Sequence, residues 1–153
     1  MRTKTTVLTL VLLLAAGAIC FAGSEMGTWK LNEAKSKVPP GTAKNQTVNY
    51  KAAGDKTKVS VDGTDKDGKA THNEWTGKFD GHDYPLVGDP TADSRAYRQV
   101  NPNTLELTNK KGGKVVAQGE IVMSADGKSR TVSIKGTDPA GKKYKSMTYY
   151  DKK

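Results

Sequence analysis

The sequence predicts an all-β protein, a single up-and-down antiparallel β-barrel of roughly eight to ten strands. Three observations support this prediction. Apolar and polar residues alternate in short runs, the runs are separated by Gly, Asp, Asn and Lys, and no run after the N-terminal segment has a helical period. Consecutive hairpins without a long return connection favour an up-and-down barrel among the all-β architectures.

The first 22 residues have the composition of a secretory signal peptide. Two basic residues precede an apolar run, Val7 to Ile19, and small residues stand at the positions that a signal peptidase inspects. Cleavage is predicted after Ala22. The apolar run is short for a membrane span, so no stable span is expected in the processed protein. The alternative is a lipid anchor on Cys20, although a small residue normally precedes such a cysteine.

Residues 23–153 form one predicted domain, exported to the periplasm or to the medium. This part of the chain contains no cysteine, so packing and sheet hydrogen bonds must stabilise it without disulfides. Two of the 25 Lys and Arg residues lie in the signal, which leaves a net charge near +7 against 16 acidic residues. The basic residues are spread along the chain without interleaved aromatics. A soluble surface is therefore favoured, and no nucleic-acid partner is expected.

The first predicted strand is Gly27 to Leu31, in which Trp29 is expected to plug one end of the barrel. Residues 32–45 are predicted to be irregular because two prolines interrupt them, with one helical turn over Asn32 to Lys35. Alternation predicts the remaining strands over 46–52, 57–62, 71–79, 96–100, 105–107, 115–123, 132–134 and 143–151. Turn-forming residues separate them at Gly54-Asp55-Lys56, Asp80-Gly81-His82, Asn101-Pro102-Asn103, Lys111-Gly112-Gly113 and Asp126-Gly127.

Two segments of the chain resemble each other. Residues 59–69 and 132–142 each contain a strand, a Gly-Thr-Asp turn with a second glycine, and the start of another strand. The likeness has two interpretations, a duplicated half-barrel or convergence on the same hairpin chemistry.

The opening Gly27-Thr28-Trp29-Lys30-Leu31, the meander and the closing Tyr150-Asp151-Lys152 resemble the calycin superfamily, which contains lipocalins and fatty-acid-binding proteins. Asp83-Tyr84-Pro85 and Gly88-Asp89-Pro90 make the chain more similar to small exported bacterial proteins called lipocalin-like. The resemblance implies a closed barrel, but no settled function.

The chain departs from the fatty-acid-binding proteins in two respects. Their final strand carries an Arg-x-Tyr pair that holds a ligand carboxylate, and Thr148 stands at the arginine position when Tyr150 is aligned with the tyrosine. Residues 32–45 are also too few to form their two-helix lid.

No catalytic or metal site is predicted. The two histidines, His72 and His82, have no nucleophile beside them, so the protein is not expected to be an enzyme. The acidic residues of 65–74 match part of a calcium-loop spacing. However, Gly63 occupies the first ligand position and strands flank the segment, which favours an acidic hairpin tip. No cofactor is predicted.

The barrel interior is the predicted binding site. Alternation turns aromatic and hydroxyl side chains inward, and the candidate ligand-binding residues are Tyr50, Trp75, Arg98, Thr148 and Tyr150. If Arg98 shares the inward face, its buried charge needs an anionic partner. The alternative is that Arg98 points outward or pairs with an acid at the rim.

Two functions follow from this interior. One is binding or carriage of a small, mainly apolar molecule in the cell envelope. The other is a ligand-free structural or protein-interaction module. An enclosed cavity would favour the first function, and a solid interior with an exposed apolar patch would favour the second.

Overall fold

The computed structural model describes residues 23–153. The predicted signal peptide, its cleavage site and Cys20 lie outside the described residues. The strands are β1 Gly27–Lys37, β2 Lys44–Ala53, β3 Lys56–Thr64, β4 Ala70–Gly77, β5 Tyr84–Val87, β6 Ser94–Asn101, β7 Thr104–Lys111, β8 Lys114–Met123, β9 Ser129–Thr137 and β10 Lys143–Lys152. No helix in this part of the chain is long and apolar enough to cross a membrane.

Each strand pairs with the next in antiparallel fashion, and β1 pairs with β10, so the sheet is a closed barrel. The prediction of an up-and-down barrel is confirmed, with the strand number at the upper end of the expected range. Turn glycines adopt the left-handed conformation that the hairpins require, as at Gly54 with φ 65° and Gly127 with φ 67°.

Alternation along the strands brings the inner side chains into register. Val59 lies between Tyr50 and Trp75 across β2, β3 and β4, and Trp75 lies opposite Leu86 of β5. The largest fully buried side chains are those of Trp29, Trp75, Leu105 and Val59. The core therefore occupies the barrel interior, as a period of two residues requires.

β1 is longer than the sequence predicts. Strand pairing with β10 continues to Lys37 across a register shift after Asn32, and the helical turn expected at 32–35 is wrong. The hydroxyl of Ser36 donates to the Asn32 carbonyl and accepts the Tyr149 amide, and the Asn32 side chain accepts the Lys35 amide. Because these side chains satisfy the backbone at the irregularity, the segment remains extended.

β5 is the strand that the sequence did not predict. It covers Tyr84–Val87 and lies between β4 and β6, and Pro85 stands at its second position. Its pairing is short, with Trp75 opposite Leu86 and Tyr84 opposite Arg95. This strand gave no sequence signal because a four-residue run with a proline shows little alternation.

The two similar segments form the β3–β4 and β9–β10 hairpins, and their turns have the same hydrogen bonds. Asp65 bonds with Gly68 and Lys69 as Asp138 bonds with Gly141 and Lys142, through the same backbone atoms and the same carboxylate oxygen. Yet four strands separate the hairpins on one side of the barrel and two on the other. This spacing does not match two equal halves, so it favours convergent hairpin chemistry.

Candidate functional site

One end of the barrel is plugged by Trp29. Its side chain is 0% exposed, and its indole N–H donates to the Glu25 carbonyl over 2.7 Å. Lys152 lies against the same ring, with Nζ 5.2 Å from the ring centre, and donates to the Ser24 carbonyl. Gly27 has φ 108° and passes close to the Lys152 side chain. The predicted burial of Trp29 is confirmed.

Arg130 of β9 is buried directly inside this plug. Its side chain is 3% exposed, and the guanidinium carbon lies 4.7 Å from the ring centre of Trp29, 5.1 Å from that of Tyr50 and 4.9 Å from that of Tyr150. We call these three rings the aromatic cage. Cation–π attraction to the three rings offsets part of the free-energy cost of burying the guanidinium charge.

The guanidinium of Arg130 is nevertheless incompletely satisfied. Its Nε and Nη1 atoms are buried and have no hydrogen-bond partner among residues 23–153. Burial raises the pKa of both Tyr50 and Tyr150, so these phenols stay protonated and cannot act as counterions. The positive charge therefore lacks an anion.

A second buried arginine, Arg95 of β6, lies toward the opposite end of the interior. It is 6% exposed, and its Nε donates to the Asn109 side chain over 2.8 Å. Its Nη1 lies 3.4 Å from the Tyr97 hydroxyl, and its carbonyl accepts the Trp75 indole N–H. These partners are all neutral, so Arg95 adds a second interior positive charge.

A cluster of aromatic rings lies between the two arginines. Trp75 stacks on Phe79 with an interplanar angle of 2°, and Tyr97 meets Trp75 edge-on at 4.8 Å between ring centres. Tyr50 contacts this cluster through Tyr97 at 6.4 Å and also belongs to the aromatic cage. The rings thus connect the environments of Arg95 and Arg130.

Glu25 is the one acidic residue that is buried in the described part of the chain, and it does not neutralise either arginine. Its Oε2 has no hydrogen-bond partner, and its carboxylate forms no ion pair there with Arg130 or Arg95. The interior accordingly holds an excess of positive charge.

The inner wall formed by β9 and β10 is less buried than the opposite wall. Val132 lies opposite Thr148, and Ile134 lies opposite Ser146, and all four side chains are only partly buried. By contrast, Val59 on the other wall is fully buried. The inner face of the β9–β10 wall therefore combines aliphatic and hydroxyl groups.

Arg98 does not point into the barrel, so the hypothesis of an inward Arg98 is wrong. Its side chain is 62% exposed and forms a two-point contact with Glu106, at 2.6 Å from Nη2 and 3.0 Å from Nε. Arg95 and Tyr97 take the inward positions of β6, and Arg98 faces outward by alternation. The outward alternative with an acidic partner is the one that occurs.

The other predicted site residues lie inside the barrel. Tyr50 and Tyr150 meet around Arg130, whereas Trp75 lies in the ring cluster. The Tyr150 hydroxyl donates to the Asn45 carbonyl over 2.9 Å, and the Thr148 hydroxyl lies 3.4 Å from the Val132 carbonyl. Both hydroxyl protons thus have backbone acceptors, while the oxygens keep acceptor capacity.

Arg95 and Arg130 were not predicted from sequence. On β6, the apolar residues Ala96 and Val100 suggested the wrong face, whereas choosing the face of Tyr97 would have turned Arg95 inward. Arg130 precedes the predicted start of its strand at residue 132. Extending the Val132 alternation back by two residues would have found it.

The histidines and the acidic hairpin lie on the outside. His72 Nδ1 is 2.7 Å from an Asp62 oxygen, and this hydrogen bond, with a further contact to Glu74, raises the pKa of His72. Asp65 accepts amide hydrogen bonds within its own turn. Residues 23–153 contain no group of three or more His, Cys, Asp or Glu that could hold a metal ion.

Two hollows lie along the outer face of β8, β9 and β10. Their volumes are about 400 Å³ and about 510 Å³, and Gln118, Lys135 and Lys145 line both. These three residues are exposed and stand opposite one another across the strands. We call the joined hollows the lysine groove.

No family model and no curated protein matches the chain. A redesigned β-barrel, mFAP1, solved bound to DFHBI, is 16% identical, with a TM-score of 0.46 over 85% of this chain and 95% of that one. A second redesigned β-barrel is 14% identical, with a TM-score of 0.44 over 85% of this chain and 92% of that one.

Proposed function

We propose that the protein is an exported, non-catalytic binding protein of calycin type. Its barrel takes up a small, mainly apolar molecule through an anionic group held at Arg130. The observation that carries this proposal is the buried guanidinium of Arg130, whose Nε and Nη1 atoms have no hydrogen-bond partner among residues 23–153. Export rests on the signal-like composition of residues 1–22.

The charge on Arg130 is the first step of the argument. A guanidinium stays protonated in proteins, and a buried charge without a counterion is costly. The aromatic cage fixes the guanidinium and attracts it, but rings do not accept the in-plane N–H groups as an oxyanion does. A carboxylate, sulfonate or phosphate group on a ligand would supply both the negative charge and the acceptors.

The surroundings of Arg130 determine what the rest of the ligand must be. The cage and the inner wall of β9 and β10 are mainly apolar, with the Thr148 and Ser146 hydroxyls as polar exceptions. A ligand with an apolar body and one anionic group matches this pattern, as small-molecule sites in proteins generally do. Arg95, at the other end of the ring cluster, offers a second positive charge to a longer ligand.

Native mass spectrometry of the protein, purified without detergent, tests whether a small molecule is already bound. A titration with a fluorescent fatty acid, and with the corresponding fatty alcohol, then tests the role of the charge. We expect the acid to bind more tightly than the alcohol. Arg130→Met should weaken binding of the acid about ten- to a hundredfold, because it removes a charged hydrogen-bond donor.

Arg98→Met is the matched control, since it removes an arginine from the outer surface of the same barrel. It should leave the affinity for the fatty acid unchanged. Equal affinities for the acid and the alcohol, or an Arg130→Met protein that binds as tightly as the parent, would contradict the proposal. No bound molecule and no binding of either probe would favour the alternative.

That alternative is an interaction module that works through its outer face. It is favoured by the large apolar side chains that remain exposed, including those of Val115 and Met147 around the lysine groove. In this case the interior arginines would serve only the architecture of the core.

A further inference from the structure

The lysine groove forms a basic surface separate from the interior site. Four lysines line it, Lys37 from β1, Lys135 from β9, and Lys143 and Lys145 from β10. All four are exposed, and none forms a salt bridge with an acidic side chain of residues 23–153. Lysines elsewhere on the barrel do have such partners, as Lys44 has Glu33 and Lys58 has Glu74.

When no anion is bound, the positive charges of these lysines repel one another. Lys135 and Lys145 stand directly opposite each other in the β9–β10 ladder. Like charges in that position repel each other. Glu120 lies on the same outer face, opposite Ser133 in the β8–β9 ladder, but forms no salt bridge with Lys135 or Lys145.

The remaining groove residues provide neutral hydrogen-bonding groups. Gln118, Ser133 and Thr137 contribute amide and hydroxyl groups, whereas Tyr144, which pairs with Gly136, turns its ring to the inner face of the barrel. Ammonium groups bind carboxylates, and amide and hydroxyl groups bind sugar hydroxyls. These functions occur together in the groove.

Its shape and spacing fit an extended chain. The two hollows share Gln118, Lys135 and Lys145 and so form one depression across three strands. Along β10, Lys143 and Lys145 lie on the same face roughly 6.6 Å apart, and Lys135 lies about 5 Å across from Lys145. Both of these distances between lysine positions are comparable to the length of one sugar unit in a polysaccharide chain.

Other anionic partners fit less well. An acidic peptide cannot add to the sheet as an extra strand, because the barrel is closed and leaves no free edge. Single-stranded nucleic acid needs several aromatic platforms, whereas the one aromatic residue that lines the two hollows, Tyr144, turns its ring to the inner face of the barrel. A planar lipid surface meets a convex face more readily than a depression.

We propose that the lysine groove binds a linear acidic polysaccharide, with Lys135 and Lys145 contacting carboxylates of neighbouring sugar units. This site is independent of the interior site at Arg130. It gives the protein a way to attach to an anionic polymer while its barrel is free or loaded.

Polygalacturonate is a suitable probe, with the fully methyl-esterified polymer as its uncharged counterpart. We expect the acidic polymer to bind at low salt and the ester not to bind. Lys135→Gln combined with Lys145→Gln should weaken binding at least tenfold. The control, Lys51→Gln combined with Lys128→Gln, removes the same charge from exposed positions elsewhere on the barrel and should change affinity less than twofold.

The melting temperature of each double variant shows whether it is folded. Because all four positions are exposed, we expect melting temperatures close to that of the parent. Arg130→Met should leave binding of the polymer unchanged, which separates this site from the interior one. Equal losses in the two double variants, or equal binding of the ester, would overturn the proposal. Binding to phosphatidylglycerol vesicles through the same lysines, without binding of the polymer, would assign the face to a membrane and also overturn it.

Discussion

The guanidinium carbon of Arg130 lies 4.7 Å from the centre of the Trp29 ring, at the plugged end of the barrel. The two residues come from the first and the penultimate strands, so their contact joins distant parts of the chain. Trp29 is anchored on its other side by the Glu25 carbonyl. The plug and the unpaired charge are therefore one structural unit.

Replacing Arg130 with methionine should leave the free energy of unfolding unchanged or raise it by about 1–4 kcal/mol, because an uncompensated buried charge is removed. Urea unfolding of the ligand-free protein measures this. The comparison variant is Arg95→Met, which leaves the Asn109 oxygen without its donor and should lower stability by about 1–3 kcal/mol. A large loss in Arg130→Met would show that the cage depends on the charge.

Replacing Trp29 with alanine should cost roughly 3–5 kcal/mol, the usual range for deleting a buried large aromatic. The change removes the plug and also the hydrogen bond to Glu25. Urea unfolding and the melting temperature both report the effect. A variant that melts within a degree or two of the parent would show that Trp29 does not hold this end together. Tyr149→Ala, at a partly exposed position on β10, should have a smaller effect.

Gly77 is the position where a side chain would disturb the ring cluster most directly. A Cβ there would lie 2.5 Å from atoms of both Trp75 and Tyr84. Gly77→Ala should therefore lower the free energy of unfolding by about 1–3 kcal/mol through overpacking. Thr76→Ala, at the exposed neighbouring position, is the control and should change stability little. Equal effects of the two substitutions would contradict the close contact.

Much of the fold could be predicted because the period of two residues and the turn residues are local properties of the sequence. Tyr50 and Tyr150 were placed correctly for this reason. Arg130 was missed because its strand begins three residues earlier than its apolar residues indicate. The hypothesis that Arg98 faces inward was wrong because the choice between the two faces of β6 depends on packing against other strands. No local sequence pattern contains that information.

His72 should titrate at a higher pH in the parent than in an Asp62→Asn variant. The hydrogen bond that the Asp62 carboxylate accepts from the imidazole is the largest cause, and it raises the pKa of His72 in the folded protein. Its contribution to stability is thus fully present below about pH 6.5, the ordinary histidine value, and is lost as the pH rises through the folded pKa. An NMR titration of the imidazole protons measures this shift.

The contribution of His72 to stability should be small because its side chain is 54% exposed. Glu106→Gln, which removes an outer carboxylate paired with Arg98, is the control and should leave the His72 titration unchanged. A pKa of His72 that does not respond to Asp62→Asn would show that the contact is absent in solution.

The closure of the barrel by β1 and β10 brings the two ends of the domain together. The Lys153 amide donates to the Thr28 carbonyl over 2.9 Å, beside the pairing of Trp29 with Lys152. A short flexible linker could therefore join Lys153 to Gly23 without altering any strand. New termini could then be opened at the exposed Gly112-Gly113 turn. The resulting circular permutant should keep the same barrel while its strands appear in a different order along the chain.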